Sequence, residues 1–154
     1  MFSIKLVKLS APIEKVLKFQ RKDNEYFVII SSEYACSPRF VQYAFLQAFK
    51  ACEVGKNTAK SLELEWLCKL ALTPNVASAL QFTKPDDNVV ALASFNCFEK
   101  ESDMREICEV QAVSAQLKKE GEKLLIAKYK ISAKALENYA IEDLLIETAA
   151  VENV

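Results

Sequence analysis

The segment from Ser37 to Gly55 sets the strongest constraint on the fold. Ser37 and Pro38 make a helix start: a capping hydroxyl, then a residue whose missing N–H is harmless in a first turn. Phe40, Val41, Ala44, Phe45, Ala48, Phe49 and Cys52 then recur at helical spacing, and Gly55 supplies a C-terminal stop. A helix this apolar must be covered by the rest of the chain. Tyr43 and Leu46 lie off the main stripe and are candidates for a partner surface, as is the amphipathic stretch from Leu136 to Val151.

Strands interleaved with helices supply the cover. Ser3 to Leu9 alternates apolar and polar residues and reads as a strand; Pro12 opens a short helix with Ile13, Val16, Leu17 and Phe19 apolar. Glu25 to Ser31 (EYFVIIS) reads as a central strand, and Val89 to Phe95 (VVALASF) as a buried one. Asn57 or Thr58 is expected to cap a helix with Leu62, Trp66, Leu67, Leu70 and Ala71 inward. Thr73 and Pro74 then start a short helix carrying Val76, Ala79 and Leu80. A helix is expected from Ser102 to about Lys119, with Met104, Ile107, Cys108 and Ala115 inward and Gly121 ending it. Leu124 to Ile131 suits either a strand or a helix, and Ser132 caps a short helix before the C-terminal stretch. The expected fold class is α/β in the α+β sense: a small mixed or antiparallel sheet packed with a helical cluster, in a single domain over 1–154.

Composition narrows the chemistry. The 154 residues include no histidine, which removes Ser-His-Asp and Cys-His catalysis and histidine-ligated metals. The only glycines are Gly55 and Gly121, so no glycine-rich phosphate cradle can be built. The cysteines are Cys36, Cys52, Cys68, Cys97 and Cys108; an odd count without Cys-x-x-Cys spacing suggests neither a zinc site nor a disulfide framework. They read as small buried hydrophobes in a reducing cytosol. No apolar run approaches the roughly 20 residues of a membrane span. The chain is expected to be soluble and cytoplasmic, with the nucleus open for a eukaryotic source.

The carboxylates do not converge on a reacting centre. Glu63 and Glu65 are two apart on one helix and do not face each other, and Glu65 with Lys69 reads as an ordinary surface pair. Asp86 and Asp87 suit a turn. Glu99, Glu101, Asp103, Glu106 and Glu109 make an acidic stretch without metal-ligand spacing. An alternative keeps them in use: a small cytosolic α/β enzyme with Cys36 or Cys97 beside those acids. A scaffold working without RNA is a further alternative. Neither catalytic residues, nor a metal, nor a cofactor is otherwise expected.

Charge is uneven. Residues 1–60 carry ten Lys+Arg against five Asp+Glu, net +5, and residues 61–154 carry ten against sixteen, net −6. A basic first part on a near-neutral chain suits a phosphate-contacting face. Lys56 and Lys60 flank Asn57-Thr58-Ala59, read here as a helix N-terminus whose backbone N–H groups attract anions. Thr73-Pro74-Asn75 starts the next helix in the same way.

One family carries this arrangement. The run from Phe40 to Phe45 through Ala48-Phe49, then Gly55-Lys56-Asn57-Thr58-Ala59-Lys60-Ser61-Leu62-Glu63-Leu64-Glu65-Trp66-Leu67, resembles the small KEOPS subunit that binds the complex's atypical kinase. Tyr129-Lys130-Ile131-Ser132, Ile141 to Glu147 and Ala149 follow that family's C-terminal pattern. The resemblance implies a non-catalytic regulatory subunit for threonylcarbamoyladenosine synthesis at tRNA position 37. It implies docking on the kinase/ATPase, contact with the tRNA 3′ CCA end, and only indirect contact with other KEOPS subunits. Carried over, the tRNA-binding candidates are Lys56, Asn57, Lys60, Thr73, Asn75 and Lys84. Tyr43 and Leu46 are the kinase-interface candidates. Many archaeal members read Gly-Thr-Arg-Gln-Ile where this chain has Leu72-Thr73-Pro74-Asn75-Val76, so the arginine that would grip RNA is absent. Lys84 is the candidate to compensate for it.

Overall fold

The computed structural model describes residues 1–18, 22–97 and 108–152. The elements run β1 (Phe2–Leu9), α1 (Ile13–Leu17), β2 (Tyr26–Ser31), a 3-10 turn (Ser32–Cys36), α2 (Pro38–Glu53), α3 (Leu62–Ala71), α4 (Val76–Thr83), β3 (Val89–Phe95), β4 (Cys108–Gln111), α5 (Ala115–Lys128), α6 (Ala133–Leu136) and α7 (Ile141–Glu152). The strands form one antiparallel sheet in the order β2-β3-β1-β4. The fold is therefore α+β, with the sheet in the antiparallel form.

The continuous apolar run at Val89–Phe95 has its physical reason in that order. β3 lies inside the sheet and both of its faces are covered, so Val90, Ala91, Leu92 and Ala93 are all buried. Alternate residues serve two separate cores. Val28, Ile30, Ala91 and Ala93 face the helices α2, α3, α5 and α7, whereas Val7, Phe27, Val90 and Leu92 face Val16, Cys97 and Cys108. β2 was expected to be central and is an edge strand, pairing only with β3. Its apolar content reflects cover on both faces, which composition alone does not separate from a central position.

Phe45 is the hub of the larger core. Its ring meets Trp66 edge-on at 4.8 Å and stacks on Phe95 at 4.7 Å, with Phe2, Tyr26 and Phe49 around it. The Trp66 indole N–H donates to the Val41 carbonyl at 3.1 Å, so the buried indole ties α3 to α2 and leaves no orphan donor. At the other end of α2, Glu142 accepts from the Arg39 backbone N–H at 3.0 Å and Asp143 pairs with the Arg39 guanidinium at 3.3 Å. The first turn of α7 thus caps the first turn of α2.

Two expectations fail in the second half. Residues 108–111 form strand β4, and helix α5 begins at Ala115 with Ser114 as cap. The helix expected from Ser102 to Lys119 is therefore absent at 108–114. Its first part, with Met104 and Ile107, lies outside the described residues, as do Phe19 and the acids Glu99, Glu101, Asp103 and Glu106. Gly121 does not end a helix but sits inside α5, where a Cβ would overlap the Cys36 sulfur. Its smallness serves close packing of α5 on the 3-10 turn. The ambiguous stretch from Leu124 resolves as helix to Lys128, with Lys130 in the left-handed region at φ +55°.

Candidate functional site

The connection from α2 to α3 holds half of the candidate RNA-binding residues, and it is tied down along its length. Gly55, at φ +68°, ends α2 in a Schellman turn: the Gly55 N–H donates to Cys52 O at 3.3 Å and the Lys56 N–H to Ala51 O at 2.8 Å. Asn57 donates through its side-chain amide to Ala59 O at 2.8 Å. The Ala59 methyl is buried in the core. Ser61, not Asn57 or Thr58, caps α3, accepting from the Leu64 N–H at 3.2 Å. Residues 57–60 therefore separate the Schellman turn from the cap; Asn57 and Lys60 are exposed among them, and Lys56 is exposed at the end of the turn.

The expected free N–H groups at 58–59 are already in use. Glu65, one turn into α3, reaches back past the cap. Its Oε2 accepts from the Thr58 N–H at 2.9 Å, the Ala59 N–H at 2.8 Å and the Thr58 hydroxyl at 3.3 Å. Its Oε1 faces the Lys69 ammonium at 3.4 Å. Glu65 is wholly buried, which overturns its reading as an ordinary surface partner of Lys69. An internal carboxylate occupies the anion-attracting backbone here, so any phosphate contact falls to the lysine side chains.

The second motif lies at the opposite end of α3. Leu72 takes the left-handed conformation, φ +56°, and ends the helix. Asn75, not Thr73, caps α4 by accepting from the Ser78 N–H at 2.9 Å, and the Thr73 hydroxyl accepts from the Asn75 N–H at 3.2 Å. Both capping oxygens are thus committed to the backbone. A ten-residue helix is about 15 Å long, which separates Thr73 and Asn75 from Lys56 and Lys60. The short turn folds α4 back along α3. Lys84, just after α4, is exposed and lines a groove with Glu63 and Leu64 of the first turn of α3. This groove of about 450 Å³ runs beside the β2 edge and displays Leu17 and Leu80, both about half exposed. Sequence reasoning missed it, because neither the edge position of β2 nor the α3–α4 fold-back is written in a local pattern.

The candidate kinase-interface residues lie on α2. Leu46 is 53% exposed, and Tyr43 is half-buried in a shallow cleft with Gln47, Lys69, Leu72, Ala149 and Ala150. That cleft joins α2 to the C-terminal helix, where Val151 is exposed. The two expected partner surfaces are thus neighbours.

Of the two thiols in the alternative reading, Cys36 has surroundings that do not activate it. Cys36 is half-buried, and desolvation, then Glu122 and Glu33, push its thiol up against the smaller opposing effect of Lys118. Burial likewise raises Cys52, Cys68 and Cys108. A raised thiol is a poorer nucleophile at neutral pH. Among the described residues no group of three or more Cys, Asp or Glu side chains is placed to hold a metal ion. Among them, too, no helix is long and apolar enough to cross a membrane.

Comparison with curated proteins finds no match. The comparison with family models is positive across almost the whole chain, including both the α2–α3 region and the C-terminal helix. Residues 4–153 match the family described as kinase binding protein CGI-121, and the chain belongs to that family of kinase-binding proteins.

Proposed function

We propose that this kinase-binding protein is the non-catalytic KEOPS subunit that helps present tRNA for threonylcarbamoyladenosine synthesis at position 37, working in the cytoplasm. Tyr43 and Leu46 on α2 dock the kinase/ATPase. Lys56, Lys60 and Lys84 contact the tRNA near its 3′ CCA end, and Asn57, Thr73 and Asn75 shape the backbone that carries them. The observation that supports the RNA part most is the company Lys60 and Lys84 keep. Lys84 lines a groove with Leu17, Leu64 and Leu80, and Lys60 lies just before the first turn of α3, whose Glu63 and Leu64 line the same groove. Binding of a single-stranded end needs this pairing of cations for the backbone with an apolar surface for the bases.

Reconstitution tests the reading. Modification of tRNA by the assembled complex is expected to fall when the chain is omitted and to return when it is added. The double substitution Lys56→Glu with Lys60→Glu is expected to restore kinase binding but not modification. Full modification without the chain contradicts the proposal.

A further inference from the structure

A buried carboxylate needs a reason. Removing its charge from water is costly, and buried ion pairs are weak evidence of stabilisation, since apolar residues of similar volume often do as well. Glu65 meets that cost with an unusual partner set. Two consecutive backbone N–H groups and one hydroxyl of the 57–60 connection donate to a single oxygen, while Lys69 faces the other. An apolar residue at 65 would fill the space but would leave the Thr58 and Ala59 N–H groups without this acceptor. What Glu65 uniquely supplies is therefore the shape of the connection rather than bulk. The remaining ties act at its two ends, through the Schellman turn and the Ser61 cap, and inside it, through Asn57 and Ala59. Glu65 joins the middle of the connection to the body of α3 by hydrogen bonds.

We infer that Glu65 is the positioning residue of the RNA-contacting connection: its carboxylate holds residues 57–60 in the one shape that presents Lys56 and Lys60 together. This rests on the RNA-binding role proposed above. It assigns to a side chain that never meets RNA the task of arranging those that do. A long lysine on a loose connection loses more freedom on binding than one on a fixed connection, so the fixed connection binds more tightly with the same contacts.

The test compares the full chain with Glu65→Met, which keeps the volume without an acceptor, and with Glu65→Gln, which keeps a carbonyl oxygen. Three quantities are read: amide exchange at Thr58 and Ala59 against the β3 core, affinity for tRNA with its CCA end, and affinity for the kinase. In Glu65→Met, exchange is expected to rise about tenfold or more at Thr58 and Ala59 alone, in line with loss of hydrogen bonds to a charged group. The tRNA affinity is expected to fall about tenfold with it, kinase affinity to hold, and Glu65→Gln to recover most of both losses. If Glu65→Met does not fold, Glu65→Asp, which withdraws the carboxylate by one methylene, is read in the same way. Exchange rising throughout the core, with tRNA and kinase binding lost together, would make Glu65 merely structural and overturn the inference. So would local loosening with unchanged tRNA affinity. If the unmodified chain shows no CCA-dependent binding, the proposed RNA role itself fails, and that result is seen without any variant.

Discussion

Gly121 packs its α-carbon against the side chain of Cys36, joining the middle of α5 to the 3-10 turn that follows β2. A Cβ at 121 would overlap the Cys36 sulfur and lie 3.3 Å from its Cβ and 3.5 Å from the Glu33 α-carbon. Alanine at 121 gains about 1 kcal/mol in helix propensity. Overpacking of this kind costs about 1–3 kcal/mol. The overlap should win, because Cys36 has one rotatable bond and a backbone neighbour behind it. Gly121→Ala is expected to lower stability by about 1 kcal/mol, and Cys36→Ala in the same chain to recover it. Denaturant midpoints of the two singles and the double settle this; independent, additive effects would refute the packing argument.

Tyr34 and Tyr129 form a directed hydroxyl pair. The Tyr129 hydroxyl donates to Leu70 O at 2.6 Å, so the Tyr34 hydroxyl must donate to Tyr129 at 2.7 Å. Tyr129→Phe strands both the Leu70 carbonyl and the Tyr34 donor, whereas Tyr34→Phe leaves the Tyr129–Leu70 bond intact. Tyr129→Phe is expected to cost about 1–3 kcal/mol and Tyr34→Phe clearly less. Thermal or urea unfolding checks the order, and equal losses would contradict the assigned direction.

The same pair sets an alkaline limit. Burial holds the Tyr34 phenol far above its ordinary value, and burial with the neighbouring Tyr34 holds Tyr129 well above it too. Unfolded phenols release their protons near pH 10 while the folded ones keep theirs. Their contribution is fully present below about pH 10 and is lost as pH rises above it, by up to about 1.4 kcal/mol per pH unit for each phenol. Stability measured from pH 8 to 11 should turn downward near pH 10, and more gently in Tyr34→Phe. An equal slope in that variant would remove Tyr34 from the effect.

On α2, Leu46 combines high exposure with a place one turn from Tyr43, which lines the cleft against the C-terminal helix. Leu46→Glu should leave stability within about 0.5 kcal/mol, as surface changes do. Its affinity for the partner kinase should fall about tenfold or more if Leu46 lies within the interface core. Urea unfolding reads the first and calorimetric titration of the kinase with each form the second, and unchanged affinity would move the docking surface elsewhere.

The sequence made the helical elements legible and left their neighbours obscure. Phe40 to Cys52 and Leu62 to Ala71 were readable because a 3.6-residue period and a terminal Gly55 are local signals. Gly121 misled, since the same residue that ends helices also permits close packing, and only Cys36 across the interface separates the two uses. The edge position of β2 was hidden, because two covered faces give an edge strand the composition of a central one. At the candidate site the lysines were visible, but Glu65 was not. Its spacing to Lys69 is that of a common surface pair, and its true partners at 58–59 lie behind the cap. Leu72 was not readable as a helix terminator either, since φ +56° is a backbone that glycine adopts more freely than leucine.

The basic connection before α3, with Lys84, is proposed to grip the single-stranded end of tRNA. Its most direct measurement is binding of the purified chain to tRNA, intact and with the 3′ CCA removed, by gel shift at two salt concentrations. Binding should weaken sharply without CCA and with added salt, and Lys56→Ala with Lys60→Ala should reduce the salt slope by about two. Equal binding of intact and trimmed tRNA, or none at low salt, would contradict the claim and leave kinase docking as the role that the chain performs.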